Sequence, residues 1–310
     1  MIDLDGNGTG DAIWRTTTTT GTTTGYVAKL HDAQGNVVGE RTLSQGAGRE
    51  LQTAGSFDGD SVTDLVWRNP TTNAAKLWLM NADGSIAGKR YLGGRNTPDF
   101  RIETSGDFDG NGTTDLIWRQ ASTNAHVMWL TNAGQVASEA PVAVPANARL
   151  VATAADYDAD GDGRTDLVWK NLTSNVHTVR LMNGASTTGG FQVAKGTGWD
   201  LVATGRYDGN QIGDLLWRNE ATGSVVQWLM TYDAAAGTGQ FRKETEISRA
   251  GAPRTPVPTM SYAGNSITWR RPADGTYALW KMLGSTPASK EPTLGGGSTS
   301  RLVRRLPHPV

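Results

Sequence analysis

Three stretches of the chain put oxygen-bearing side chains at alternate positions of a nine-residue segment: Asp3-Leu-Asp5-Gly-Asn7-Gly-Thr-Gly-Asp11, Asp107-Phe-Asp109-Gly-Asn111-Gly-Thr-Thr-Asp115 and Asp158-Ala-Asp160-Gly-Asp162-Gly-Arg-Thr-Asp166. Donors at the first, third and fifth positions of a tight loop converge on one point, and glycine between them admits the left-handed backbone that the turn needs. A carboxylate at the ninth position closes the shell from the far side. Oxygen donors without Cys or His select calcium, or less tightly magnesium, over transition metals. The expected ligands are therefore Asp3, Asp5, Asn7 and Asp11; Asp107, Asp109, Asn111 and Asp115; and Asp158, Asp160, Asp162 and Asp166.

Other chemistry has less to stand on. His31, His126, His177 and His308 fall at no metal-ligand spacing, and neither a Gly-x-Ser-x-Gly elbow nor a His-Glu-x-x-His helix occurs. The acidic pairs are accounted for by the cation loops, so the expectation is that the protein is not an enzyme. With 29 Lys and Arg against 30 Asp and Glu, the chain has no global field to gather a polyanion, and nucleic acid is not an expected partner. No run approaches the ~20 apolar residues of a membrane span. The absence of Cys excludes a disulfide framework and thiolate metal sites. Weak calcium modules fill at extracellular calcium levels, which points to a secreted or surface location of bacterial type. The chain opens inside an acidic loop, as expected if a leader has been removed or the piece was excised from a longer protein.

The loops are set in a repeat. An anchor tryptophan follows each, at Trp14, Trp67, Trp118, Trp169, Trp217 and Trp269, in steps of 53, 51, 51, 48 and 52 residues. Arg15, Arg68, Arg119, Arg218 and Arg270 follow five anchors and Lys170 the sixth. These cations either line a ligand groove or, the favoured reading, cap strand carbonyls and neighbouring acids. A polar turn comes next, then a second apolar strand bearing Trp78, Trp129, Trp228 or Trp280, with Arg180 and Lys29 in the equivalent places. The tract Thr16 to Thr24 reads as a lengthened polar loop. Adding an incoming strand and a more polar fourth strand gives four strands per ~50 residues, the arithmetic of a propeller blade. The anchor tryptophans are expected in the core; the second-strand tryptophans and Trp199 lie nearer a blade end.

The first unit lacks an incoming strand, whereas Ser300-Arg-Leu-Val303 matches the incoming strands and feeds no loop of its own. The expected architecture is thus all-β: a six-bladed β-propeller of four-stranded antiparallel blades, closed by the C-terminal strand joining the first blade, with residues 1–310 as a single domain.

The segment Asp107-Phe-Asp109-Gly-Asn111-Gly-Thr-Thr-Asp115-Leu-Ile-Trp118-Arg119 and its counterparts resemble the FG-GAP/VCBS repeats of integrin α propellers and many secreted bacterial proteins. The resemblance implies a calcium-bearing extracellular scaffold without fixing its ligand. Carried residue by residue, the first, third and fourth units keep the full acidic pattern, giving about three calcium sites. The second has Ser56 ahead of Asp58, Asp60 and Asp64, a weaker fourth set. The fifth has Arg206 ahead of Asp208, Asn210 and Asp214, and its guanidinium offers an internal ion pair in place of the cation. The sixth, Ser261-Tyr-Ala-Gly-Asn265-Ser-Ile-Thr-Trp269, has no carboxylate. The leading expectation is a binding or adhesion module that presents loops to a glycan or protein partner. The alternatives are a polysaccharide-active enzyme or its accessory domain, and an architectural segment of a larger surface protein, filament or assembly.

Overall fold

In a computed structural model the chain is all-β and takes the β-propeller fold, built from consecutive four-stranded antiparallel sheets. The structure describes residues 2–17, 23–33, 36–43, 48–60, 62–95, 99–151, 160–210 and 212–248, and beyond these only the backbone of five strands. Two compact units are present, one of Met1–Ala143, Met260–Ala263 and Ser298–Val310, the other of Val144–Thr259 and Gly264–Gly297.

The first unit holds three sheets. One has the order β24-β1-β2-β3, from β1 (Ala12–Thr17), β2 (Thr23–His31), β3 (Val37–Leu43) and β24 (Ser300–Leu302). The next runs through β4 (Glu50–Gly55), β5 (Asp64–Arg68), β6 (Ala74–Met80) and β7 (Ile86–Gly94). The third runs through β8 (Phe100–Gly106), β9 (Asp115–Gln120), β10 (His126–Asn132) and β11 (Gln135–Val142). The second unit has the same plan. Its sheets are β12 (Ala148–Leu150) to β15 (Ser186–Val193) through β13 (Leu167–Asn171) and β14 (His177–Asn183), then β16 (Trp199–Gly205), β17 (Asp214–Asn219), β18 (Val225–Asp233) and β19 (Thr238–Ser248). A last sheet of β20 (Thr255–Pro256), β21 (Ser266–Arg270), β22 (Tyr277–Leu283) and β23 (Thr286–Thr293) completes it.

Strand register reproduces the repeat residue by residue. Trp67, Trp118, Trp169 and Trp217 face Leu51, Ile102, Leu150 and Leu201 of their incoming strands, and Trp14 faces Leu302 in the same way. On the other side Trp78, Trp129 and Trp228 pair with Leu65, Leu116 and Leu215. Arg180 pairs with Leu167 and Lys29 with Ala12, so these two hold the tryptophan's place. Of the tract Thr16 to Thr24, read as a lengthened polar loop, Thr16 and Thr17 end β1 and Thr23 and Thr24 begin β2, while residues 18–22 lie outside the described residues.

The described strands that carry an anchor tryptophan have an apolar centre buried on both sides of the sheet, as in Leu65-Val66-Trp67, Leu116-Ile117-Trp118 and Leu215-Leu216-Trp217. All five residues of Asp64–Arg68 are buried. Trp14, Trp67, Trp118, Trp169 and Trp217 are all buried, which makes each a core element whose truncation costs about 3–5 kcal/mol. Tilted indole pairs extend the packing: Trp67 with Trp78 at 5.0 Å and Trp118 with Trp129 at 4.9 Å between centroids.

The hairpin after the anchor explains the cation that follows it. Asn73, Asn124 and Asn175 sit at φ of 57°, 58° and 59°, a left-handed conformation that asparagine tolerates, and Gly223 takes that position in the fifth repeat at φ 73°. Arg119 Nε donates to Asn124 Oδ1 at 2.7 Å, and Arg68 makes the same bond to Asn73 while its Nη2 donates to the Phe100 carbonyl at 3.2 Å. Lys170 pairs with Asp200. Arg68, Arg119 and Lys170 therefore cap a turn, a carbonyl or an acid.

Candidate metal loops

Each acidic loop leads directly into a middle strand, and its ninth residue is fixed first. Asp115 is fully buried; Oδ2 accepts the Phe108 N–H at 2.9 Å and Oδ1 the Thr131 N–H at 2.7 Å, tying the loop to β10. Asp11 does the same with Leu4 and His31, Asp64 with Phe57 and Met80, and Asp214 with Tyr207 and Met230. Asp166 Oδ1 accepts the Met182 N–H at 2.9 Å. The ninth carboxylate is thus a staple between loop and sheet wherever it occurs among the described residues, whether or not the first position is acidic. Sequence reasoning assigned it to the cation alone. The missed signal was its survival in the fifth loop, which lacks the full ligand set.

The fifth position is also engaged. Asn111 Nδ2 donates to the Thr131 carbonyl at 2.8 Å, Asn7 Nδ2 to the His31 carbonyl at 3.0 Å and Asn210 Nδ2 to the Met230 carbonyl at 3.0 Å. Their Oδ1 atoms accept the N–H two residues on, from Thr113, Thr9 and Ile212. The first position closes the turn: Asp107 accepts from the N–H groups of Gly110, Asn111 and Gly112, and Asp3 from those of Asn7 and Gly8. Gly6 and Gly8, at φ 67° and 78°, supply the left-handed steps that the alternating spacing required.

Two loops bring carboxylates together. One oxygen from each of Asp3, Asp5 and Asp11, and likewise from each of Asp107, Asp109 and Asp115, lies within 4.8 Å of the others. Among the described residues these are the only such triads, so Asp58, Asp60 and Asp64 do not form one. In that loop Ser56 instead donates its hydroxyl to the Asp60 carbonyl at 2.7 Å. Asp160 and Asp162 lie in the fourth loop, where Arg164 donates to both oxygens of Asp162; Asp158 lies outside the described residues, as do Ser261 to Asn265 of the sixth loop. In the fifth loop Asp208 is paired with Arg242 of β19.

Electrostatics favour a cation in the two triads. Burial pushes Asp115 up to about 7 and Asp11 up to about 6 despite the two N–H donors each accepts, with nearby carboxylates adding to the rise. Burial likewise raises Asp5 and Asp107. Crowded, partly desolvated carboxylates favour a nearby positive charge, and a hard oxygen-only donor set fits calcium or magnesium. Both triads therefore have the composition and convergence to hold a divalent metal ion.

Tryptophans of the second strands meet an acid that sequence reasoning did not single out. Trp129 Nε1 donates to Glu139 Oε2 at 2.7 Å and Trp228 Nε1 to Glu244 Oε2 at 2.5 Å. Each pair sits directly opposite in its hairpin, so the signal was available from register.

No helix among the described residues is long and apolar enough to cross a membrane. No curated protein matches the chain. In fold it is similar to a crystal structure of a nidogen/laminin complex, at TM-score 0.58 and 10% identity over 95% of this chain and 96% of that one. It is also similar to a lectin of Agrocybe aegerita, solved for its recognition of non-reducing terminal N-acetylglucosamine, at TM-score 0.50 and 13% identity over 96% and 91%. In sequence, the FG-GAP-like repeat family matches residues 107–169, which span the Asp107–Asp115 triad, its anchor Trp118, the fourth acidic loop and Trp169. Residues 107–169 are thus similar to an FG-GAP-like repeat.

Proposed function

We propose that the protein is a calcium-stabilised, non-enzymatic binding or adhesion module, secreted or held at a bacterial cell surface, that presents loops to a glycan or protein partner. Its six sheets form one domain, a six-bladed propeller closed by the pairing of β24 with β1. The observation that carries this reading is the pair of convergent carboxylate triads, each at the same point of a repeated sheet and each built from hard donors. In support, the fold neighbours include a protein of a nidogen/laminin complex and a lectin that recognises N-acetylglucosamine. The role of the ion is to secure the loop. A site filled at a hundred times its dissociation constant adds about 2.7 kcal/mol of stability.

The test combines metal counting with thermal unfolding in calcium and in chelator, followed by glycan-array and pull-down profiling of the calcium form. Bound calcium, a lower melting temperature on chelation and a glycan or protein ligand are expected. A metal-free chain whose melting ignores chelator overturns the calcium role. Turnover of a polysaccharide without stable binding overturns the non-enzymatic reading.

A further inference from the structure

The same constellation of aromatic, acid and cation is built twice, once closed and once open. In the third sheet Trp129 donates to Glu139 Oε2, and Arg95 Nη2 meets Glu139 Oε1 at 2.6 Å while its guanidinium lies over Phe100 and Trp129 at 5.1 and 5.7 Å. Both carboxylate oxygens are occupied and Trp129 is buried. In the fifth sheet Trp228 stands for Trp129, Glu244 for Glu139, Lys195 for Arg95 and Trp199 for Phe100. Lys195 Nζ lies over Trp199 and Trp228 at 4.5 and 5.2 Å and meets Glu244 Oε2 at 2.6 Å.

Three differences open the second copy. Trp228 and Lys195 both bond Oε2, so Glu244 Oε1 accepts no hydrogen bond among the described residues, whereas Glu139 Oε1 is held in the ion pair with Arg95. Trp228 is only half-buried, where Trp129 is buried. Where the third sheet has Val136 opposite Thr131, the fifth has Phe241 opposite Met230. Phe241 is 52% exposed and meets Trp228 at 5.0 Å and 60°. An exposed aromatic surface therefore adjoins an outward carboxylate oxygen whose charge is balanced by Lys195.

We infer that Phe241, Trp228 and Glu244, held by Lys195 and Trp199, form a binding site for a neutral saccharide. The aromatic surface takes the C–H face of a pyranose, and Glu244 Oε1 accepts from its hydroxyls. Charge selects the class: an anionic ligand meets Glu244, and a cationic one meets Lys195, whose Nζ already lies over one face of each indole and leaves the other side of the aromatic cluster open. This inference rests on the binding-module reading and assigns it a site and a ligand class.

The test titrates the calcium-loaded full chain with N-acetylglucosamine, galactose, mannose and cello-oligosaccharides, followed by tryptophan fluorescence and saturation-transfer NMR. Phe241→Val copies the closed sheet, and Glu244→Gln removes the charge while keeping an acceptor. Both variants are expected to melt as the parent does and to bind the responding sugar at least about tenfold more weakly, whereas Glu139→Gln binds as the parent does. Sugar binding unchanged by Phe241→Val and Glu244→Gln overturns this site but leaves the binding module standing. No response to any neutral sugar also overturns it, as does a Phe241-dependent interaction with a protein or peptide alone; the pull-down then decides the broader reading separately.

Discussion

The loop Asp107–Asp115 and the loop Arg206–Asp214 share a skeleton and differ in charge. Both tie a ninth-position aspartate to two buried N–H groups, and both turn a fifth-position asparagine onto a carbonyl of the next strand. The third-sheet loop adds Asp107 and gathers three carboxylates; the fifth-sheet loop has arginine at the first position and pairs Asp208 with Arg242. The comparison separates two jobs that the motif merges. The ninth and fifth positions shape the loop, whereas the first and third decide whether it concentrates enough negative charge to attract a cation.

The largest expected effect probes what the loops share. Asp115→Ala and Asp214→Ala each orphan two buried N–H groups, so each should lose roughly 2–6 kcal/mol in denaturant unfolding with chelator present. A mild loss in either breaks the claim of a common staple. Next comes what they do not share. Calcium at a hundred times its dissociation constant should stabilise the parent by about 2.7 kcal/mol per filled site. Asp109→Asn should remove one site's share of the melting shift, and Asp208→Asn should leave the shift intact. Equal losses from the two substitutions would erase the distinction.

Asn111→Asp sharpens it further. The new carboxylate faces the Thr131 carbonyl in place of an amide donor, so about 1–3 kcal/mol should be lost in chelator and at least part regained in calcium, where the extra charge ligates. Loss without recovery would remove the fifth position from the metal shell. The smallest effect is Arg242→Gln: its side chain is about half exposed, so melting should change by no more than about 1 kcal/mol. A larger loss would make that ion pair a structural substitute for the cation.

The fold was legible because the repeat carries its own register. Trp-to-Trp spacing located the middle strands, and Lys29 and Arg180 fell where the missing tryptophans belonged. The match of Ser300–Leu302 to the incoming strands anticipated its pairing with Arg15 and its neighbours. The site was legible only as donors. Spacing marks which oxygens approach one another but not which are already spent on N–H groups, so the staple at Asp115 and the engagement of Asn111 were hidden. The guanidinium of Arg242, 34 residues beyond Asp208 in sequence, also pairs with the fifth loop, a partner that local spacing could not reveal. The acids Glu139 and Glu244 were missed because cross-strand pairing depends on hairpin length, which varies from repeat to repeat.

One link between sheets carries a consequence of its own. Thr63 N–H donates to the Asp3 carbonyl at 2.8 Å, and Thr114 N–H to the Ser56 carbonyl at 2.7 Å, so the eighth residue of one loop grips the first residue of the loop before it. Asp3 returns the contact through its own N–H to the Thr63 hydroxyl at 2.8 Å. Ordering any one of these three turns therefore lowers the entropy that its neighbour must surrender, and ions held by the Asp3 and Asp107 loops would become thermodynamic partners without touching. Loosening would spread the same way along these three loops, so that melting of one turn weakens the next.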